Sequence, residues 1–244
     1  MSTTPAFYLP KEAWSHEVLL EGQEAFHLQH VLRIREGGTV TLLDGQGHSG
    51  LFTVQNLLPK AVCLKQNSLK VHGRPRSLPI MALALSKAVR RGFFMEKAAE
   101  LGAAAVWLWQ GHYSQGTVNN NLLFTSQRQI IAGAKQCQNP WFPEVRIFPA
   151  GLEEMLAAAS HITQRILPWE LEKTSEMLPL DLLGCPGETI YIIGPEGGFS
   201  DQELAILDQA KFTRVSLGNR ILRCETAATI CLGLHFWASN LKKS

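Results

Sequence analysis

The stretch IYIIGPEGGFSDQELA, residues 190–205, carries the strongest structural signal in this chain. A run of apolar, β-prone residues ends at a Gly-Pro-Glu-Gly-Gly turn, and an amphipathic pattern follows. Ser200 with Glu203 three residues later predicts a capping box, so a helix should begin directly after the turn. This strand, turn and helix predict an open α/β sheet that binds a ligand at the carboxyl end of its strands.

The glycine turn itself is suited to hydrogen bonding through the main chain. Gly194, Gly197 and Gly198 leave the N–H groups of the turn unshielded, and Pro195 stiffens it. The capping box uses the N-terminal donors of the next helix, and the G-K-[ST] signature of a phosphate-binding loop is missing. We therefore expect the turn to hold a flat, hydrogen-bonding group such as an adenine edge.

A second glycine turn, SLGNRILRCETAA, occupies residues 216–228. Gly218 permits a sharp exit from a strand, two arginines alternate with apolar residues, and Glu225 opens an alanine-rich helix. A plain strand-to-helix connection explains this pattern as well as a binding loop does, because glycine turns are common in α/β proteins.

The rest of the chain divides into two patterns. Before residue 72, short alternating segments predict a small β-barrel-like domain, and HGRPRSLP, residues 72–79, reads as a linker. From residue 79 onward, strands alternate with helices predicted at about 88–102, 120–137, 151–160, 201–210 and 224–239. This alternation predicts a mostly parallel sheet with helices on both faces. The predicted domains are residues 1–73 and 74–244.

Two other motifs fail as functional signals. GQGHSG, residues 45–50, matches the dinucleotide fingerprint, but β-prone LFTV follows it instead of a helix. It is better explained as a hairpin turn, which removes the only motif of a nicotinamide or flavin oxidoreductase. His27 and His30 have no acidic or cysteine partner at ligand spacing, and the five cysteines form no C-x-x-C pair, so we predict no metal site.

The distribution of charge is more informative than the net charge of +2. No acidic residue lies between Asp44 and Glu96, while eight lysines and arginines fall in that interval. Such a stretch would attract a polyanion, although acidic partners from elsewhere in the fold would explain it equally simply. Apolar runs are far shorter than the roughly 20 residues of a membrane span, and the start lacks a signal-peptide pattern. We predict a cytoplasmic protein with no membrane partner.

Together with KAVRRGFFMEKAAELG, residues 87–102, the two glycine turns resemble the RsmE family of ribosomal RNA methyltransferases, in the SPOUT superfamily. HLQHVLRIREGGTVTLLDGQG, residues 27–47, is similar to the PUA-like RNA-binding domain of that family. The resemblance implies an α/β protein with an N-terminal PUA-like β-barrel, a SPOUT methyltransferase domain and a C-terminal trefoil knot. It also implies a homodimer through the SPOUT domain that methylates N3 of a uridine in small-subunit (16S) ribosomal RNA.

The resemblance also implies site residues, carried over position by position. Those expected to bind the methyl donor S-adenosylmethionine are Gly194, Pro195, Glu196, Gly197, Gly198, Leu217, Gly218, Ile221, Leu222, Arg223 and Glu225. Glu196 and Glu225 are candidate bases for the N3 proton. Arg220 and Arg223 could stabilise charge on the uracil oxygens, although a phosphate contact or an internal ion pair would explain each equally well. Residues expected to contact RNA phosphates are Arg33, Lys87, Arg90, Arg91 and Lys97.

Two segments of the predicted methyltransferase domain depart from the family pattern. In KQCQNPWFPE, residues 135–144, Lys135 replaces an acidic residue, and residues 139–141 replace basic or polar ones. HYSQ, residues 112–115, lacks the arginine of the family's serine-arginine signature. These changes leave a second hypothesis, a non-catalytic or re-targeted RNA-binding or ribosome-assembly paralogue, although both donor turns are intact.

Overall fold

The computed structural model describes residues 4–169, 177–179 and 183–241, and the chain forms two compact units. The first unit contains the residues up to Arg74 together with Ile131–Phe142, and the second contains Pro75–Ile130 and the residues from Pro143 onward. The sequence predicts one boundary near residue 74 and gives no sign that residues 131–142 return to the first unit. None of the described helices is both long and apolar enough to cross a membrane.

The first unit is built on a five-stranded sheet. Its strands are β1 (Ala6–Tyr8), β2 (Glu17–Glu21), β3 (Thr39–Leu43), β4 (His48–Leu57) and β5 (Ala61–Val71), with helix α1 (Gly22–Phe26) after β2. The strand order is β1-β3-β4-β5-β2, and only the β1–β3 pair is parallel. Side chains from all five strands share one apolar core. β5 is one continuous strand of 11 residues, and its pairing with β4 shifts register at two irregularities.

The β3–β4 connection is the hairpin turn that the sequence predicts at GQGHSG. Leu43 pairs with Ser49, so strands flank the glycines on both sides. The buried Asp44 closes the turn, because its Oδ1 accepts hydrogen bonds from the main-chain N–H groups of Gln46 and His48 at 2.8 and 2.9 Å. No helix follows this motif, so it is not a dinucleotide fingerprint.

The same hairpin contacts the segment KQCQNPWFPE, residues 135–144, which departs from the family pattern. A Cβ added to Gly47 would lie 2.3 Å from Cζ2 of Trp141, and Gly47 N donates to the Pro140 carbonyl at 2.9 Å. Trp141 Nε1 donates to the Gly73 carbonyl at 3.1 Å. Nearby, Lys135 Nζ lies 2.7 Å from a carboxylate oxygen of Glu24. The altered residues therefore have a packing role within the first unit.

This contact gives a prediction for Gly47→Ala. Gly47 has φ of +94°, which an L side chain rarely adopts, and the new methyl group would collide with the Trp141 ring. We expect the free energy of unfolding of the first unit to fall by about 2–3 kcal/mol, measured by urea denaturation. Gly37→Ala is the matched control, because Gly37 has φ of +82° with no atom within 4 Å of the added Cβ. Equal losses in both variants would contradict a packing role for Trp141.

The second unit is built on a six-stranded sheet. Its strands are β6 (Ser77–Ala84), β7 (Ala105–Trp109), β8 (Glu144–Phe148), β9 (Gln164–Pro168), β10 (Gly187–Ile193) and β11 (Thr213–Val215). Their order is β11-β9-β10-β6-β7-β8, and every pairing is parallel. The helices are α2 (Ala88–Glu100), α4 (Leu152–Ala158), α5 (Asp201–Gln209) and α6 (Cys224–Leu241), and α3 (Leu122–Cys137) begins in this unit and ends in the first. The predicted parallel sheet is confirmed.

Both faces of this sheet are covered, as predicted from the alternation of strands and helices. On one face, Ile190 and Ile192 of β10 share a buried cluster with Met155 of α4 and Leu207 of α5. On the other face, Tyr191 Oη lies 2.9 Å from Nδ1 of His235 on α6, and α2 packs against α6. The β10 carboxyl end, where GPEGG begins, therefore emerges between two helical layers.

Candidate functional site

Two loops at the carboxyl ends of the parallel strands form the candidate site. The GPEGG loop, residues 194–198, follows β10, and the LGNRILR loop, residues 217–223, lies between β11 and α6. The capping box predicted after the first loop is confirmed: Glu203 N donates to Ser200 Oγ at 3.2 Å, and Ser200 N donates to Glu203 Oε2 at 2.8 Å. The N-terminal donors of α5 are thus partly used inside the protein.

The two loops line a cavity of about 230 Å³, which we call the two-loop cleft. Its lining residues are Pro168, Ile193, Gly194, Pro195, Glu196, Gly198, Phe199, Ile221, Leu222, Arg223, Cys224 and Ala227. A smaller cavity of about 40 Å³ shares Pro168, Leu222 and Ala227 with it and adds Trp169, Leu217, Gly218 and Arg220. The sequence-predicted donor turns therefore lie together in space, although more than fifteen residues separate them in the chain.

Most of the positions predicted to bind a methyl donor line one of these two cavities, and two do not. Gly197 is not among the lining residues, and a Cβ added there would lie 2.8 Å from Cβ of Tyr113. Glu225 is also absent from both linings, and its Oε1 lies 3.9 Å from Nε of Arg90. Arg220, predicted to act on the substrate, is exposed and lines only the smaller cavity.

Arg90 of α2 forms an ion pair with Glu196 of the GPEGG loop and lies near Glu225, which follows the LGNRILR loop. Its Nη1 donates to Glu196 Oε1, and its Nε faces Glu225 Oε1 at 3.9 Å. The side chains of Glu196 and Glu225 are only 14% and 13% exposed. The sequence placed Arg90 among the phosphate contacts, and its spacing gave no sign that it pairs with the two candidate bases.

Glu196, which lines the two-loop cleft, has one carboxylate oxygen without a hydrogen-bond partner in the described part of the chain. Glu196 Oε2 is buried, and no donor among the described residues reaches it. Next to it, Cys224 Sγ donates to Glu225 Oε2 at 3.3 Å. Burial, with this hydrogen bond and the nearby carboxylates, raises the pKa of the Cys224 thiol to about 12, so the thiol stays neutral near pH 7. An unsatisfied carboxylate oxygen beside a neutral thiol favours a ligand with N–H donors or positive charge.

The other residues predicted to contact RNA differ in whether their side chains already bind other parts of the protein. Arg91 Nη1 donates to the Ser86 carbonyl at 3.0 Å, and burial lowers the pKa of this guanidinium. Lys97 Nζ lies 2.7 Å from both carboxylate oxygens of Glu100. Lys87, directly before α2, and Arg33, in the first unit, are exposed. Their RNA contacts stay predictions.

The loop after β7 lies against the GPEGG loop. His112 N donates to Glu203 Oε1 at 2.9 Å, and Tyr113 contacts the position of Gly197. This is the HYSQ segment, which the sequence identified only as a departure from the family pattern. Nothing in its spacing indicated a neighbour some 80 residues later in the chain.

Comparisons with known proteins agree with this architecture. Residues 76–235 match the sequence model of an RNA methyltransferase domain, and residues 20–66 match that of an RNA methyltransferase PUA domain. The ribosomal RNA small subunit methyltransferase E of Synechocystis is 28% identical over 229 residues, which cover 91% of this chain and 74% of that protein. The same-named protein of Mycobacterium bovis is 28% identical over 230 residues, covering 88% and 84%.

A solved structure is similar over nearly the whole chain. A methyltransferase of Legionella pneumophila, in complex with the bound cofactor S-adenosylmethionine, superposes with a TM-score of 0.87 at 28% identity. The match covers 97% of this chain and 98% of that one.

Proposed function

Because this chain belongs to the RsmE family of ribosomal RNA small subunit methyltransferases, we propose that it methylates N3 of a uridine in 16S ribosomal RNA. It is an S-adenosylmethionine-dependent methyltransferase with a PUA-like N-terminal sheet and an α/β methyltransferase domain. The choice of uridine N3 rests on the family resemblance. The observation that carries the proposal is the meeting of the GPEGG and LGNRILR loops at one cleft.

The residues of the two-loop cleft fit the donor chemically. S-adenosylmethionine supplies an electrophilic methyl group on a sulfonium cation, together with an ammonium group and an adenine. The orphaned Glu196 Oε2 is an acceptor for such N–H groups, and the Arg90, Glu196 and Glu225 cluster holds one more carboxylate than guanidinium. Ile193, Leu222 and the main chain of the GPEGG loop would hold the adenine.

The work left to the protein is positioning and proton removal. The nucleophile must be aligned with the methyl group, and correct alignment alone can supply several kcal/mol of barrier reduction. Uridine N3 carries a proton at neutral pH and becomes a good nucleophile only as that proton leaves. Glu196 and Glu225 are the candidate bases, because both lie at or beside the two-loop cleft. Arg223 lines the same cleft and is available to stabilise charge on a uracil oxygen.

Binding of the RNA would use the exposed cations. Lys87 and Arg33 are exposed and suited to phosphate contacts, which give affinity without reading sequence. Choice of one uridine would come from RNA shape and from extrusion of the base. Action on ribosomal RNA also supports the predicted cytoplasmic location.

We further propose the homodimer and the trefoil knot that the family resemblance implies. The exposed apolar side chains on the packed helices α2 and α6 support a dimer: Val89 is 87% exposed, Phe93 50% and Trp237 53%. The passage of the LGNRILR loop from β11 into α6, which packs on β6 and β10, supports the knot.

The first experiment is a calorimetric titration with S-adenosylmethionine. Ala227 lines both cavities, so Ala227→Leu would place a bulky side chain in the two-loop cleft. We expect the wild type to bind the donor. Ala227→Leu should raise the Kd for the donor more than about tenfold, because the leucine side chain would clash with the donor and reduce the donor surface that becomes buried. Ala157→Leu, which adds the same side chain on an exposed position of α4, is the matched control and should bind like the wild type.

Methyl transfer then tests the substrate. We expect label from the donor in unmethylated small-subunit RNA, at a uridine whose Watson–Crick edge no longer supports reverse transcription. Failure of the wild type to bind the donor, alone and with the RNA present, would favour a non-catalytic paralogue. Label at another atom or another base would overturn the N3 assignment and leave the donor site intact.

A further inference from the structure

Two adjacent aromatic side chains on the loop after β7 have no assigned role. Tyr113 is 49% exposed, and the ring of His112 meets it edge to face, with centroids 4.6 Å apart and an interplanar angle of 88°. Exposed aromatic faces are used by RNA-binding proteins to stack unpaired bases.

The backbone of this loop is held in place. His112 N donates to Oε1 of the buried Glu203, whose other oxygen takes part in the α5 capping box. Within the loop, Gly111 N donates to Ser114 Oγ at 2.9 Å, and Ser114 N donates to the Gly111 carbonyl at 3.1 Å. The two rings are therefore presented by a fixed loop, which lowers the entropy lost when a base stacks on them.

Tyr113 packs against the GPEGG loop, which lines the two-loop cleft. Its Cβ lies 2.8 Å from where a Cβ of Gly197 would be, so only glycine lets the two loops approach this closely. The neighbours of Gly197 on either side, Glu196 and Gly198, both line the cleft. The tyrosine is therefore a direct neighbour of the loop residues that line the cleft.

We propose that Tyr113, supported by His112, is the stacking platform for the target nucleobase once it has left the RNA stack. This inference rests on the proposed function, since it assumes an RNA substrate. An extruded pyrimidine loses its stacking energy, and an exposed aromatic face beside the GPEGG loop replaces part of it.

The test compares variants that keep or remove the ring. Tyr113→Phe keeps the aromatic face, and Tyr113→Leu removes it while keeping apolar volume. We expect Tyr113→Leu to lower kcat/KM for small-subunit RNA about tenfold, mainly through KM, and Tyr113→Phe to stay within about twofold of the wild type. The Kd for S-adenosylmethionine should be unchanged in both. Phe124→Leu is the matched control, because Phe124 is a 60% exposed aromatic on α3 of the same unit.

A second readout separates this inference from the proposed function. Affinity for the same RNA is measured by fluorescence anisotropy with S-adenosylhomocysteine bound, so no turnover is needed. If the wild type transfers no methyl group but Tyr113→Leu weakens RNA binding, the proposed function fails and the stacking role stands. Equal RNA affinity and equal kcat/KM in the wild type and Tyr113→Leu, or an equal loss in Phe124→Leu, would overturn the stacking role.

Discussion

Arg90→Met is expected to lower kcat/KM for methyl transfer about 100-fold and to weaken S-adenosylmethionine binding. The guanidinium of Arg90 holds Glu196 of one loop and faces Glu225 beside the other, and both carboxylates are largely buried. Without it, two mutually repelling carboxylates remain at the donor site. A displacement of about 1 Å at such a site costs about 100-fold in rate. The measurement is steady-state kinetics together with calorimetric titration of the donor.

Lys87→Met is the matched control, since it removes an exposed cation directly before the same helix. A phosphate contact acts on RNA binding alone: its loss should reduce the salt dependence of RNA affinity by about one unit of slope and leave the donor Kd unchanged. If Arg90→Met shows this same profile, Arg90 is a phosphate contact, as the sequence predicted, and the ion-pair role is excluded.

His235→Ala is expected to destabilise the second unit by about 3–5 kcal/mol. His235 is 1% exposed, its Nδ1 lies 2.9 Å from Tyr191 Oη and its Nε2 lies 2.7 Å from Ser77 Oγ. These contacts tie α6 to β10 and β6. Truncation leaves a cavity and two polar groups without this partner, and the two costs add. Urea unfolding with hydrogen exchange of the α6 amides measures the loss.

Two further variants bracket this effect. Tyr191→Phe removes one of the hydrogen bonds without a large cavity and should cost about 1–3 kcal/mol. Asn240→Ala changes an exposed position one turn later on α6 and should stay within about 0.5 kcal/mol of the wild type. A His235→Ala unfolding midpoint equal to that of Asn240→Ala would show that the buried network does not hold α6.

Local patterns predicted the elements of this protein well. The capping box at Ser200 and Glu203, the hairpin at GQGHSG and the parallel sheet are all confirmed, because each depends on residues close together in the chain or on strand patterning. The identity of the cofactor was also predictable, but only through the family resemblance, which the contiguous motifs of both glycine turns made recognisable. The return of residues 131–142 to the first unit was not predicted, because that contact joins residues far apart in the chain.

By itself, the sequence determined most of the order of strands and helices, and it identified the two loops that we propose bind the donor. Only the tertiary structure decided which distant side chains meet there. Arg90 faces Glu225 across 135 positions of chain, Tyr113 meets Gly197, and Trp141 fills the space left by Gly47. Such contacts depend on how the helices and the sheet pack together, and hydrophobic periodicity does not encode that packing. The sequence around a charged or aromatic side chain therefore does not show which distant residue will contact it. For this reason, the sequence around Arg90 is typical of a phosphate contact, while the structure places Arg90 between Glu196 and Glu225.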